Sequence, residues 1–468
     1  MEGDDAENTD NRDNMGSLVE QLTDLLDDAR ARVALFFKAG GLAPTVTQKR
    51  LAVFANRGGP GWHSEYVDVD ANVLSLRVPV AFPEALADWL DDARGLSENV
   101  ARRLPVAALP HMALPPPGLD LVGMDPGDLD QGEPAQRVLG QVILSATRWY
   151  LTHTPSIATP DYEMARIIAT DTIKLLATGK WQARQSVAIL GVQPERDLME
   201  CDRNRLRLLS PLERGDFLSL EPRPRGMGAL GARSMMPCPS HLLEMDREAG
   251  PPNKIGSLPT PPLLMALRLH QIEFAGPGVL VTYLLPEWLS FGYSSKPLPM
   301  PPDPSRTCTI SQEQMAEACC TAGLLARYRF DFPERPSELA LHRFGLGCGR
   351  PDPADGLLDF VVALEALLLP YDREVRLSDL SYRFRLHGAH FISDSCDERR
   401  SIFRTLRKLY EIRSRLVHGG KCPTAAETLT AANEARDLAA RGLLKAVRIG
   451  FPDVEQFNRL ALDEETDI

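Results

Sequence analysis

The sequence predicts a multi-domain chain with a mixed α/β N-terminal part and an all-α C-terminal helical bundle. Three observations carry this. At 468 residues the chain exceeds what one hydrophobic core ordinarily supports. Between 185 and 295, short apolar runs rich in β-branched residues alternate with Gly and Pro clusters. Beyond the proline cluster KPLPMPPDPS (296–305) the apolar residues recur almost throughout at helical spacing.

Each element has its own signal. MEGDDAENTDNRDN is acidic and poor in apolar residues, so 1–15 reads as a disordered acidic tail. Ser17-Leu-Val-Glu20 has the form of a capping box that opens a helix running to Gly40-Gly41. NVLSLRVPVAF (72–82) alternates like a strand, and 83–104 returns to a helical period. A proline-rich connection (105–118) precedes two further helices at 133–151 and 160–179, the second with Pro160 near its start. The texture then changes to β-like runs: SVAILGVQ, RLRLLS, LLMALRLHQIEF and GVLVTYLL. The region 16–295 is therefore an unassigned mixed α/β part, divisible into a mainly helical 16–180 and a β-rich 181–295. Prolines deny both helix and sheet pairing to 296–305, which reads as a linker. A helical domain fills 306–452 and a second acidic tail fills 453–468. In RPDPADGLLDFVVALEALLLP (350–370), Asp352 caps, Pro353 suits the first helical position, and the helix is apolar nearly all round, as a central bundle helix must be. Glu365 is its anomaly, since a carboxylate in such surroundings needs a cation or water.

Charge and cysteine usage narrow the class. The net charge is −12, yet 335–450 holds 19 Lys and Arg against 15 Asp and Glu, so an acidic front joins a mildly basic rear. The longest apolar stretch, 357–369, is broken by Asp359 and Glu365, and no membrane span is expected. The acidic N-terminus lacks a basic-then-apolar signal. The eight cysteines show no C-x-x-C pair and no regular spacing. Reduced thiols in the cytoplasm, with neither metal nor cofactor, are the expectation.

The candidate site is the stretch LYEIRSRLVHGG (409–420). Leu409, Leu416 and Val417 offer an apolar face, which Tyr410, Arg413, Ser414, Arg415 and His418 interrupt before Gly419-Gly420 stops the helix. An ordinary helix end, a nucleic-acid clamp and an acid–base site all fit this pattern. The Arg-x4-His spacing also occurs at Arg148/His153 and Arg385/His390, so spacing alone decides nothing. Only 413–418 precedes Gly-Gly and lies downstream of an apolar LEALLL helix.

The strings ALHRFGLGCGRPDPADGLLDFVVALEALLLP, LSYRFRLHGAHF and LRKLYEIRSRLVHGG resemble the Apea-like branch of HEPN domains over about 337–445. Members of that superfamily are small helical bundles that commonly dimerise, and many are metal-independent endoribonucleases in defence or stress systems with an Arg-x4–6-His catalytic element. The resemblance implies Arg413 and His418 as catalytic residues, with Ser414, Glu365, Arg415 and Tyr410 supporting them. It implies RNA as substrate, a homodimer through the C-terminal domain, and an N-terminal regulatory or sensing region that answers an unknown protein regulator. Nuclease members often carry Asn, Asp or His after the arginine, and this chain carries Ser414. The alternative is a non-catalytic HEPN module for RNA or nucleotide binding or for dimerisation. Glu365 is expected to pair with Arg413, Arg415 or His418.

Overall fold

The computed structural model describes residues 4–39, 45–55, 62–72, 87–103, 139, 142–143, 145–147, 149–151, 154, 158–178, 181–214, 239–249, 258–276, 278–285, 293–298, 308–370, 380–419 and 423–461. The N-terminal region is mixed α/β and the C-terminal region is helical. The elements are α1 (Asp4–Ala39), β1 (Thr45–Ala55), β2 (Trp62–Asn72), α2 (Ala87–Arg103), α3 (Tyr162–Thr178), β3 (Trp181–Ile189), β4 (Val192–Pro194), β5 (Leu198–Cys201), β6 (Asn204–Leu208), β7 (His241–Ala249), α4 (Pro262–Leu269), β8 (Val279–Leu285), β9 (Tyr293–Pro297) and β10 (Cys308–Ile310). The helices that follow are α5 (Gln312–Leu325), α6 (Pro336–Gly349), α7 (Pro353–Leu368), α8 (Leu380–Ile392), α9 (Cys396–His418), α10 (Ala425–Ile449) and α11 (Val454–Ala461). Among the described residues no helix is long and apolar enough to cross a membrane.

The chain divides into two compact units, one of 1–185, 246–258 and 281–295 and the other of 186–245, 259–280 and 296–468. In the first, Leu18, Leu22, Leu26 and Val33 recur at helical spacing along α1 and share a core with Trp89 of α2 and Ile168, Ile173 and Leu176 of α3. The Trp89 indole N–H donates to the Leu25 carbonyl at 2.9 Å, which satisfies the polar tip of a fully buried side chain. β1 and β2 pair antiparallel from Thr45 opposite Asn72 to Ala55 opposite Trp62.

In the second unit β5, β6 and β7 as far as Met245 run antiparallel, the last part of β3 from Ser186 to Ile189 belongs to the same unit, and β10 pairs parallel with β4. One continuous core joins Val187, Leu206 and Leu243 of these strands to Leu264 and Leu267 of α4 and to the side chains of α5 through α10. α7 is its axis: Leu357, Val361, Ala363, Leu364 and Leu368 are completely buried, and the helix packs on α6 and α10. Capping boxes open α5 at Ser311 with Gln314 and α10 at Thr424 with Glu427.

Several expectations need correction. The backbone is helical from Asp4, where the sequence reads as a disordered tail, and Ser17 and Glu20 lie inside α1 instead of opening it. Ser17 Oγ accepts from Gln21 Nε2 at 3.1 Å, so its hydroxyl serves a side chain one turn on. LLMALRLHQIEF holds a helix over its first part, with Pro262 at the first turn of α4. The helical rear is not bounded at 296–305, because 186–245 and 259–280 belong to the same compact unit. Lys296, assigned to the linker, lies in β9 and pairs with Asp331 at 2.9 Å; 299–307 lie outside the described residues. The strand expected over 72–82 also lies outside them beyond Asn72. The C-terminal acidic tail contains α11, because Phe457 is almost fully buried and stacks on His387 with ring centroids 4.2 Å apart.

His387 gives that docking a pH dependence. Its Nδ1 donates to the Leu368 carbonyl at 2.7 Å, which requires the Nδ1–H tautomer in the neutral ring. Burial pushes the imidazole pKa below 6.5; the bond to Leu368 opposes this, and the nearby Arg383 and His390 add to it. A histidine whose folded pKa is depressed contributes stability above its unfolded pKa and loses it as the pH falls through that value. Burial depresses His241 and His270 in the same direction. The thermal midpoint of the chain should therefore fall on acidification below about pH 6.5. His387→Gln should flatten part of that acid limb, as thermal melts of both proteins across pH will show; an unchanged limb removes His387 from the account.

Candidate functional site

α9 is built to present two faces. Ile402, Leu406, Leu409 and Ile412 recur every three or four residues and are buried. At about 100° per residue, Arg413 falls among them on the core-facing side, whereas His418 points about 140° away from Arg413. The helix stays regular through His418, which is exposed, so the last turn does not unwind to aim both side chains at one point. Gly419 closes the helix at φ 79°, a value that strains any side chain even though nothing lies within 4 Å of the Cβ position.

Arg413 pairs with Glu365 of α7, as one of the three partners expected for that carboxylate. The contact is long, 3.9 Å from Nη2 to Oε2, with 26% of the arginine and 23% of the glutamate side chain exposed. Burial pushes the Glu365 carboxyl above its usual pKa, and the Arg413 charge pulls it back only in part. Arg413 Nε is buried and has no hydrogen-bond partner. The buried Nε faces away from any ligand, but the 3.9 Å contact to Glu365 is too long for a hydrogen bond, so the partly exposed end of the guanidinium keeps donor capacity that suits a phosphate oxygen. Tyr410 packs its ring 5.9 Å from that of Phe384 and so ties α9 to α8, while Ser414 and Arg415 are half-buried beside Arg413 in sequence.

The solvent face of α9 carries a feature that spacing had not singled out. The helix holds seven Lys and Arg against three acids, in a chain of net charge −12. Arg400 lies five full turns, about 27 Å, before His418, and Arg404 and Arg407 fall within about 40° of the same line; the three arginines form a ridge about 10 Å long, and Glu411 lies near the same line between Arg407 and the histidine. Arg404 is exposed, as are Arg400 at 71% and Arg407 at 66%, and Lys408 flanks them. These cations make surface pairs: Arg400 with Asp397 at 3.4 Å, Arg407 with Glu411 at 2.9 Å and Lys408 with Glu434 of α10 at 3.3 Å. Exposed pairs of this kind are worth less than about 1 kcal/mol each, so an incoming polyanion can displace them.

The competing motifs resolve differently. The Arg385 guanidinium lies over the Phe403 ring at 4.8 Å and its Nε donates to the Ser381 carbonyl at 2.9 Å, a structural role. His387 is buried under Phe457, and Arg148 and His153 lie outside the described residues. Among the described residues no three His, Cys, Asp or Glu side chains gather as a metal site. Sequence reasoning missed a cavity lined by Arg268, Cys348, Arg350 and Arg436, whose members lie too far apart in the chain to leave a local signal. Comparison with family models, curated proteins and solved structures finds no match for this chain.

The raised pKa of Glu365 fixes a sign. A carboxyl whose folded pKa exceeds its unfolded value contributes stability below the unfolded pKa and loses it as the pH rises through the folded one. Arg413→Met removes the only opposing charge among the causes of that shift. Its stability should therefore decline above pH 4.5 more steeply than that of the parent, and adding Glu365→Gln should cancel the difference. Urea unfolding of the three proteins at several pH values checks this; parallel parent and Arg413→Met profiles refute the coupling.

Proposed function

We propose that this protein is a metal-independent endoribonuclease of the HEPN type that works as a homodimer. The reading rests on one observation above the others: the cationic ridge Arg400–Arg404–Arg407 and His418 share one exposed face of α9. RNA supplies its own nucleophile. His418 takes the proton from the 2′-hydroxyl or gives one to the departing 5′ oxygen, a contribution of about 10²–10⁴ in rate. Arg413 stabilises the charge that gathers on the phosphorane oxygens, using donors that Glu365 leaves unsaturated. Helix geometry separates Arg413 and His418 within one chain, so the complete site takes the arginine of one copy and the histidine of a second across a two-fold axis. Ser414 holds the position after the arginine, where a hydroxyl can donate to a phosphate oxygen. On this reading the protein acts in the cytoplasm in defence or stress response, and 16–295 supplies regulation or sensing. The second reading, a non-catalytic module that binds RNA or dimerises, draws on the same separation and on Ser414.

Incubation of the full chain with mixed RNA in chelator tests the reading. Fragments should end in 2′,3′-cyclic phosphate and 5′-hydroxyl, and 2′-O-methylated RNA should resist cleavage. His418→Ala and Arg413→Ala should each abolish cleavage. Mixing the two inactive variants should restore about one quarter of parental activity, because half of the randomly paired dimers carry one intact site of two. Binding without cleavage under every condition selects the second reading, and cleavage unchanged in His418→Ala rejects the assigned site.

The ridge makes a separate prediction about binding. Each phosphate contact to a single strand contributes about 0.7 to the slope of log affinity against log salt concentration. Arg400→Gln with Arg404→Gln should lower that slope by about 1.4 and weaken binding uniformly across RNA sequences, as filter binding at several salt concentrations will show. A slope equal to that of the parent removes the ridge from the interface.

A further inference from the structure

A cavity of about 300 Å³ lies in the second unit among α4, the end of β9, the segment 326–335 and α6. The volume sits at the small end of the roughly 300–1,000 Å³ typical of small-molecule sites. Leu264, Met265, Phe274, Phe330 and Leu346 supply most of its wall. The first four are buried, whereas Phe332, which also lines the cavity, is 77% exposed and so stands at its rim. A phenyl ring left in water beside an apolar hollow is surface that a bound ring would cover.

The charged groups of the wall already have partners. Lys296 Nζ pairs with Asp331 Oδ2 at 2.9 Å and donates to Thr260 Oγ1 at 3.1 Å. The Thr260 N–H donates to the same carboxylate oxygen at 2.6 Å. Burial acts to raise the Asp331 carboxyl, but the bonds from Thr260 and Lys296 outweigh it and hold the group below its usual pKa. Arg268 Nη1 donates to the Gly345 carbonyl at 2.9 Å, and its guanidinium lies 5.4 Å from the centre of the Phe274 ring. An ionised ligand would have to break into one of these arrangements to replace the hydration it loses, so the wall favours an uncharged one.

His342 differs from these groups. Its Nδ1 donates to the Phe330 carbonyl at 2.7 Å, which makes Nε2 of the neutral ring an acceptor. No described residue donates to that nitrogen. The cavity therefore combines an apolar, largely aromatic wall with one acceptor on a ring that a backbone bond orients.

We propose that this cavity binds a small uncharged aromatic molecule, its ring lying against Phe274, Phe330 and Phe332 and its single N–H or O–H donating to His342 Nε2. None of the described wall residues lies on α9, so the site is distinct from the Arg413–His418 site and independent of the proposed cleavage.

Indole is the probe, titrated into the full chain by calorimetry. Benzofuran, the same pair of rings with oxygen in place of the N–H, is its control. One indole per chain should bind saturably, and benzofuran about fivefold more weakly, since it lacks the donor. His342→Asn keeps an N–H for the Phe330 carbonyl and loses the Nε2 acceptor. The two ligands should then bind alike, a comparison in which any change to the wall itself cancels. Leu346→Trp fills the cavity from a half-buried position and should abolish binding of both, with a thermal melt to establish that it folds. Where it does not fold, the His342→Asn comparison decides alone. Arg413→Ala should bind indole like the parent, which separates this cavity from the proposed RNA site. Absence of saturable binding at millimolar indole or an indole preference that survives His342→Asn would overturn the proposal. So would undiminished binding by folded Leu346→Trp, or an affinity lost in Arg413→Ala.

Discussion

The second unit depends on how α7 keeps two carboxylates inside an apolar bundle. A helix buried on nearly every side organises the core, yet Asp359 and Glu365 project from it. An ionised carboxylate in such a place costs several kcal/mol unless it is paired and hydrogen-bonded. Asp359 is compensated twice, by Arg343 at 3.0 Å and Arg350 at 2.8 Å. Glu365 is compensated once and loosely, by Arg413 at 3.9 Å. The better-satisfied carboxylate fixes the junction between α6 and α7 and with it Arg350. The looser one sets the position of Arg413, the residue for which ligand chemistry is proposed. A fully saturated arginine has nothing left to give a ligand, so the weaker compensation is the one that suits a binding role.

Glu338 shows what the same chemistry does when it serves structure alone. Its carboxylate is buried, and burial acts to raise its pKa. The backbone N–H groups of Glu334 and Arg329 and the guanidinium of Arg335 outweigh that and hold it at about 2. Every oxygen is engaged, and the turn ahead of α6 is pinned. Arg413, with a buried Nε that has no partner, is the opposite case.

Local signals carried much of this fold and little of its assembly. Capping chemistry and helical period located α2, α3, α7 and the end of α9 from sequence, because each of these helices has a defined terminus or a polar face to contrast with its buried one. LLMALRL failed as a helix signal for the opposite reason: with almost every residue of α4 buried, no polar face marks a period, and a short apolar run fits strand or helix equally. α11 was missed because one buried aromatic, Phe457, outweighs an otherwise acidic and polar segment. The unit boundary was illegible because 186–245, 259–280 and 296–468 join across long separations, and the arginine cavity was illegible for the same reason. For the motif the residues could be named from sequence, along with the pairing of Glu365 and Arg413. Their exposure and the regularity of α9 through His418 required the structure.

The regularity of α9 to its last residue turns the proposed chemistry into a question of assembly. Had the final turn unwound, Arg413 and His418 could have met over one phosphate within a single chain. With the helix intact, Arg413 is committed to the core side by the stripe Ile402–Leu406–Leu409–Ile412, and His418 shares the solvent side with the ridge. Rotating α9 to improve one position worsens the other, because both ride on the same rigid element. On the proposed reading a single copy holds an RNA backbone along the ridge while lacking the arginine beside its own histidine. On the proposed reading a second copy supplies it, so cleavage becomes conditional on dimer formation while binding does not. That asymmetry gives a regulatory region a simple point of control. On that reading any contact that separates the two α9 ends would silence the proposed chemistry without touching Arg413 or His418, while RNA binding along the ridge would persist.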